Sequence, residues 1–73
     1  MLKTETNTPE MESRIRTAFA TLHLPMEFDT DFEHGQWWVT AHTSGRQWSV
    51  VDADGPGSVD GFGFEVVTEG DEA

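Results

Sequence analysis

The alternation of side chains in residues 26–33 constrains the fold of this chain more than any other feature. These residues read MEFDTDFE, so apolar residues and Thr30 alternate strictly with acids. A period of two places one set on each face of a β-strand. Because Asp is a poor strand former, the alternation must outweigh intrinsic propensity here. We therefore predict a strand over 26–33 with one apolar and one acidic face.

Two short turns extend this strand into a sheet. His34-Gly35 separates it from QWWVTAH at 36–42, and Ser44-Gly45 separates that segment from QWSVVDA at 47–53. Glycine in so short a connection permits a tight hairpin. The pattern predicts three consecutive antiparallel strands.

The registers set by the two turns agree about the faces of the middle strand. A two-residue turn at 34–35 directs Trp37, Val39 and Ala41 to the apolar face. A two-residue turn at 44–45 places Ala41 opposite Trp48 and Val39 opposite Val50, which directs the same three side chains to that face. This agreement supports both hairpins.

The segment before these strands predicts a helix. Thr8-Pro9-Glu10 combines an N-cap hydroxyl, a proline at the first helical position and an acid near the positive helix end. Apolar residues then recur at helical spacing and form one stripe, which consists of Met11, Ile15, Ala18, Phe19 and Leu22. Pro25 disfavours helical geometry at the preceding residue, so we expect the helix to end near residue 22 or 23.

The rest of the chain predicts a loop and a last strand. Residues 54–61, DGPGSVDG, have the composition of turns, and FGFEVVT at 62–68 predicts a strand. In that strand one face takes Phe62, Phe64 and Val66, and the other takes Gly63, Glu65 and Val67. We expect an α+β fold in the order α-β-β-β-β, with one N-terminal helix packed on an antiparallel sheet of three to four strands. The fourth strand could pair with the third or with the first.

The ends of the chain are expected to lie outside this domain. Residues 1–7 are polar and lack periodicity, and residues 69–73, EGDEA, are acidic. The prediction is a flexible leader at 1–7, a single domain at 8–68 and a disordered tail at 69–73.

The charge of the chain excludes several kinds of partner. Fourteen acids face four Lys and Arg residues, for a formal net charge of −10. Such a chain repels the phosphates that supply most nucleic-acid affinity, and it repels anionic membranes. No apolar run approaches the ~20 residues of a transmembrane helix, and no signal peptide is evident, so we expect a cytoplasmic protein. The acidity itself has three explanations: solubility, a basic partner, or adaptation to high salt.

The acidic face of the predicted sheet is the candidate site. The registers place the acids of the first strand, Glu27, Asp29, Asp31 and Glu33, beside Trp38, with Val51 across from Trp38 and His42 opposite Glu27. One helix cannot cover both faces of a sheet. If these side chains stay exposed, they form an apolar spot edged by acids, which is typical of an interface. The alternative is that Trp38 is covered by a terminal segment or packed under its neighbours.

The sequence offers little for metal binding or catalysis. Asp52, Asp54 and Asp60 lie in a segment that shares its first, third and sixth positions with calcium loops. However, Pro56 and Gly63 occupy the fifth and twelfth positions, where oxygen ligands belong, so a connecting loop is favoured. No histidine pair has helical metal-ligand spacing, and the serines lack a nucleophile elbow. We expect no cofactor and no enzymatic activity.

These observations lead to one functional prediction and two alternatives. The prediction is a small, acidic, non-catalytic protein-interaction module that binds a protein partner, either a basic protein or a second copy, through the acidic sheet face. The first alternative is an inhibitor that mimics nucleic-acid phosphate and blocks a DNA- or RNA-binding protein. The second is a calcium-stabilised scaffold.

Overall fold

The chain forms one helix followed by four strands, which confirms the predicted α+β fold. The computed structural model describes residues 6–23 and 27–69. The elements are α1 (Pro9–His23), β1 (Phe28–Glu33), β2 (Gln36–Ala41), β3 (Gln47–Asp52) and β4 (Phe62–Thr68). Met26 and Pro25, which were used to predict the start of the first strand and the end of the helix, lie outside the described residues. So do residues 1–5 of the predicted leader and 70–73 of the predicted tail.

The start of α1 is fixed by the predicted cap. The Thr8 hydroxyl accepts a hydrogen bond from the Met11 amide at 3.1 Å, and the Thr8 carbonyl accepts one from the Glu12 amide at 3.0 Å. Pro9 occupies the first helical position, where its missing N–H costs nothing. Four of the five stripe residues are buried, but Leu22 is 41% exposed. The apolar stripe is therefore buried over the first three turns of the helix, and its last residue, Leu22, is exposed to solvent.

The four strands form one antiparallel sheet in the order β1-β2-β3-β4. The fourth strand pairs with the third, which decides between the two arrangements that the sequence left open. Both β1 and β4 are therefore edge strands.

The first hairpin follows the predicted register. Phe32 lies opposite Trp37, and Phe28 lies opposite Ala41. His34 and Gly35 have φ values of 57° and 72°. Positive φ at both central residues is the requirement of a type I′ turn, whose twist matches that of the flanking strands.

The predicted register of the second hairpin is wrong by two residues. Val39 lies opposite Trp48, and Trp38 lies opposite Ser49. The connection is four residues long, because the Ala41 carbonyl accepts the Gly45 amide at 3.0 Å and the Ala41 amide donates to the Arg46 carbonyl at 2.9 Å. A shift of two residues leaves every side chain on its face, so the core is unchanged. Only the neighbours across the sheet differ.

The hydrophobic core lies between α1 and one face of the sheet, which we call the inner face. It consists of Met11, Ile15, Ala18, Phe19, Trp37, Val39, Ala41, Trp48, Val50 and Phe62. Phe19 is at its centre, since its ring lies 4.7 to 5.0 Å from the rings of Phe28, Trp48 and Phe64 in edge-on geometry. Aromatic rings in this arrangement add attraction beyond the area that they bury.

Two residues near the ends of the described chain contact the sheet. The Trp37 indole N–H donates to the carbonyl of Thr6 at 2.8 Å. The Arg46 guanidinium lies 3.0 Å from the carboxylate of Glu69. These contacts join the segments beside the helix and β4 to the body of the fold.

Candidate functional site: the outer face of the sheet

The candidate site lies on the sheet face opposite α1, which we call the outer face. Alternation along the strands places on it Asp29, Asp31, Glu33, Gln36, Trp38, Thr40, Gln47, Ser49, Val51, Gly63 and Glu65. The one helix among the described elements packs on the inner face. Within the described chain, the outer face therefore has no second layer over it.

The acids predicted on this face form a row along the edge strand β1. Asp29 lies opposite Thr40, Asp31 opposite Trp38, and Glu33 opposite Gln36, each in the predicted register. All three acids are exposed, as is Glu27 just before the strand. Alternate residues of a strand are about 6.6 Å apart, so the row repeats at that interval.

His42 binds the end of this row nearest Glu27. Its backbone amide donates to the Glu27 carbonyl at 3.0 Å, which confirms that the two residues are opposite each other. The ring Nδ1 lies 3.7 Å from the Glu27 carboxylate, but Nε2 lies only 2.7 Å from that of Asp29. The closer contact is a diagonal one, which a register of directly opposed residues does not reveal.

Trp38 is half-buried at the middle of the outer face. Its indole N–H donates to the backbone carbonyl of Glu33 at 3.1 Å. Asp31 lies opposite it on β1, and Ser49, which is 7% exposed, lies opposite it on β3. The indole is therefore anchored by its polar end, and part of its apolar surface faces solvent.

Val51 is not the direct neighbour of Trp38 that the sequence predicted. The four-residue connection between β2 and β3 places Ser49 opposite Trp38, and Val51 is paired instead with Gly63 on β4. Trp38 and Val51 are diagonal neighbours, a spacing that a large ring can still bridge. Ser49 thus occupies the position opposite Trp38 at which Val51 was predicted.

The neighbouring strand β4 makes room for Ala53. A Cβ atom added to Gly63 would lie 3.4 Å from Val51 Cγ2 and 2.9 Å from Ala53 Cβ. The distance to Val51 is that of an ordinary contact, but the distance to Ala53 is closer than two carbon atoms normally approach. Glycine at this position therefore lets Ala53 lie against the backbone of β4.

The end of β4 departs from simple alternation. Gln47 pairs with Thr68 but Trp48 pairs with Val66, so the register shifts and leaves Val67 as an extra residue. Val66, predicted on the apolar face, is 47% exposed, and Val67 is 52% exposed. The bulge carries this end of the strand away from the core.

Arg14 and Arg16 project from the helix, and Arg16 reaches the edge of β1, where it lines a concavity with Glu27, Asp29 and His42. Arg14 binds Asp60 through two nitrogens at 3.0 and 2.7 Å, and this hydrogen bonding raises the pKa of Arg14. Arg16 lies over the Phe28 ring at 5.0 Å and donates to the Thr30 hydroxyl at 3.3 Å.

Arg46 likewise contacts the helix side of the sheet. Its guanidinium lies 6.0 Å from the Trp48 ring, which belongs to the core, and it binds Glu69. The Trp48 ring belongs to the inner face, so this contact lies across the sheet from the acids of the outer face.

The three candidate calcium ligands line one cleft. Asp52, Asp54 and Asp60 surround a concavity of about 510 Å³ together with Arg14. The Asp60 carboxylate is engaged by the Arg14 guanidinium on both oxygens. Among the residues that the structure describes, no group of three or more His, Asp or Glu side chains is placed to hold a metal ion.

Comparison with known proteins gives this surface no precedent. No protein-family model, curated protein or solved structure matches the chain significantly. In the described part of the chain, no helix is both long enough and apolar enough to span a membrane. The chemistry of the outer face is therefore the basis for assigning a function.

Proposed function

We propose that this protein is a non-catalytic interaction module that binds a protein partner, or a second copy of itself, through the outer face. One observation carries the proposal: Trp38 lies beside a row of exposed acids on a sheet face that no described element covers. Tryptophan is enriched among the residues that dominate binding energy, and interfaces combine an apolar centre with a polar rim. Trp38 supplies the centre, and Asp29, Asp31 and Glu33 supply one side of the rim.

Replacing Trp38 tests this proposal. Trp38→Thr removes the indole and places a β-branched residue, which favours strands, at this position. We therefore expect folding to survive and association to weaken. Gln47→Thr, at another position of the outer face, is the matched control. Wild type and both variants are used as baits in extracts of the source organism, and their oligomeric states are measured by light scattering.

The expected result is a protein, or a second copy, that wild type and Gln47→Thr retain and Trp38→Thr loses. Circular dichroism in the near ultraviolet checks that each variant is folded. Retention of the same proteins by all three baits, with no change in oligomeric state, would refute the proposal. Unfolding of Trp38→Thr would also refute it, since Trp38 would then be part of the core.

An inhibitor that mimics nucleic-acid phosphate is the second candidate function. The regular, exposed row of Asp29, Asp31 and Glu33 favours it, because such a row resembles a line of phosphates. Mimicry predicts binding that weakens steeply with salt, whereas an interface centred on Trp38 depends less on salt. We favour the interaction module because β1 provides a single row of acids and because an indole has no counterpart in a phosphate backbone.

A further inference from the structure

We infer that the outer face binds a cationic segment of another protein, whose arginine side chains stack on Trp38 and pair with Asp31 and Glu33. This inference rests on the proposed function and names the partner's chemistry. It excludes the second copy that the proposed function leaves open.

The outer face carries an excess of acids. The outer face carries Asp29, Asp31 and Glu33 on β1 and Glu65 on β4. Its basic group among the described residues is His42, which already contacts Glu27 and Asp29. Arg14 binds Asp60, and Arg46 lies over the Trp48 ring and binds Glu69. Arg16 contacts Phe28 and Thr30 and borders the Asp29 end of the row, at the edge of β1.

Self-association through the outer face has an electrostatic cost. Two outer faces packed together would bring one row of acids against another. Like charges brought together across an interface cost several kcal/mol. A second copy is therefore disfavoured, and a partner of opposite charge is favoured.

The geometry around Trp38 favours one kind of cation. Asp31 lies directly opposite Trp38, and side chains in that relation have Cβ atoms about 5 Å apart. A planar guanidinium can stack on an indole while it hydrogen-bonds a neighbouring carboxylate, which a compact, strongly hydrated ammonium does less well. The arrangement thus favours arginine over lysine.

The spacing of the acids favours one shape for the bound segment. The acids of β1 repeat about every 6.6 Å, the spacing of alternate residues in an extended chain. An extended segment with arginine at every second position therefore matches the row. A capped octapeptide that alternates arginine and serine is a suitable probe, and the same peptide with lysine is its control for charge.

The experiment compares two double variants of equal charge. Asp31→Asn with Glu33→Gln alters the outer face, whereas Asp52→Asn with Asp54→Asn alters the cleft beside the loop. Each raises the formal net charge from −10 to −8, so non-specific attraction falls equally in both. Peptide affinity is measured by titration calorimetry on the full chain, and the Trp38 indole N–H is followed by NMR.

We expect the arginine peptide to bind wild type about five times more tightly than the lysine peptide. The outer-face double variant should weaken it about tenfold, and the cleft double variant less than about twofold. Trp38→Thr should weaken the arginine peptide about tenfold and abolish the preference for arginine.

Three results would overturn the inference. Equal weakening by the two double variants would show that binding follows net charge, and equal affinity for the two peptides would exclude stacking. A homodimer that Trp38→Thr dissociates would overturn the cationic partner yet support the proposed function, so the two failures are distinguishable. Failure of both peptides to bind would likewise reject the inference.

Discussion

Truncation of Phe19 tests the packing that holds the outer face in place. Phe19 is fully buried and lies against three aromatic rings at 4.7 to 5.0 Å. Phe19→Ala removes the ring and leaves a cavity, which costs about 3–5 kcal/mol in a packed core. A chain of this length has a total stability of about 4–11 kcal/mol, so the loss consumes a large share of it.

Chemical denaturation followed by tryptophan fluorescence and circular dichroism measures the effect. Phe19→Leu fills most of the volume but loses the ring contacts, so we expect a smaller loss of about 1–2 kcal/mol. Leu22→Ala is the control on the same helix, and because Leu22 is 41% exposed it should cost less than about 1 kcal/mol. If Phe19→Ala costs no more than Leu22→Ala, Phe19 is not the centre of the core and the packing argument fails.

Further predictions concern pH, a tight contact and calcium. Burial lowers the pKa of His23 below its ordinary 6.5. As the pH falls, the unfolded chain therefore binds a proton at His23 before the folded chain does, and the folded state loses stability. The stability of wild type relative to His23→Gln should decrease between about pH 7.5 and 5.5. Gly63→Ala brings a methyl group to 2.9 Å from Ala53 Cβ and should cost about 1–3 kcal/mol, and Ala53→Gly in the same chain should restore most of the loss. We expect equal melting midpoints in calcium and in chelator, since Arg14 already binds Asp60; a higher midpoint in calcium would support the scaffold alternative.

The helix and the first hairpin were predictable because local chemistry determines them. Thr8 caps α1, as the sequence predicts, and His34-Gly35 adopts the positive φ values of a two-residue turn. Apolar alternation then fixes the inner face of β2. In each case the decisive residues are neighbours in the sequence, so no knowledge of tertiary contacts is needed.

The second hairpin and the distribution of charge around the sheet could not be predicted from neighbouring residues in this way. Ser44-Gly45 suits a two-residue turn, but Ala41 accepts the Gly45 amide and donates its own amide to Arg46, which closes a longer connection. The predicted two-residue turn and the observed four-residue connection direct the same side chains to the inner face, so hydrophobic patterning does not distinguish them. The longer connection changes the candidate site, because Ser49 and not Val51 lies opposite Trp38.

The acidic row lies on an edge strand, where it has two possible roles: protection of the edge and recognition of a partner. Charged side chains on an edge discourage the addition of further strands, and Asp31 also accepts the amide of Phe32 at 2.9 Å, which removes a donor from that edge. Protection against aggregation and recognition of a cationic partner therefore involve the same residues. The two roles predict different effects when Asp31→Asn and Glu33→Gln neutralise the row. If the row only protects the edge, the double variant is less soluble but binds the arginine peptide as wild type does. If the row recognises a cationic partner, the affinity for the arginine peptide falls.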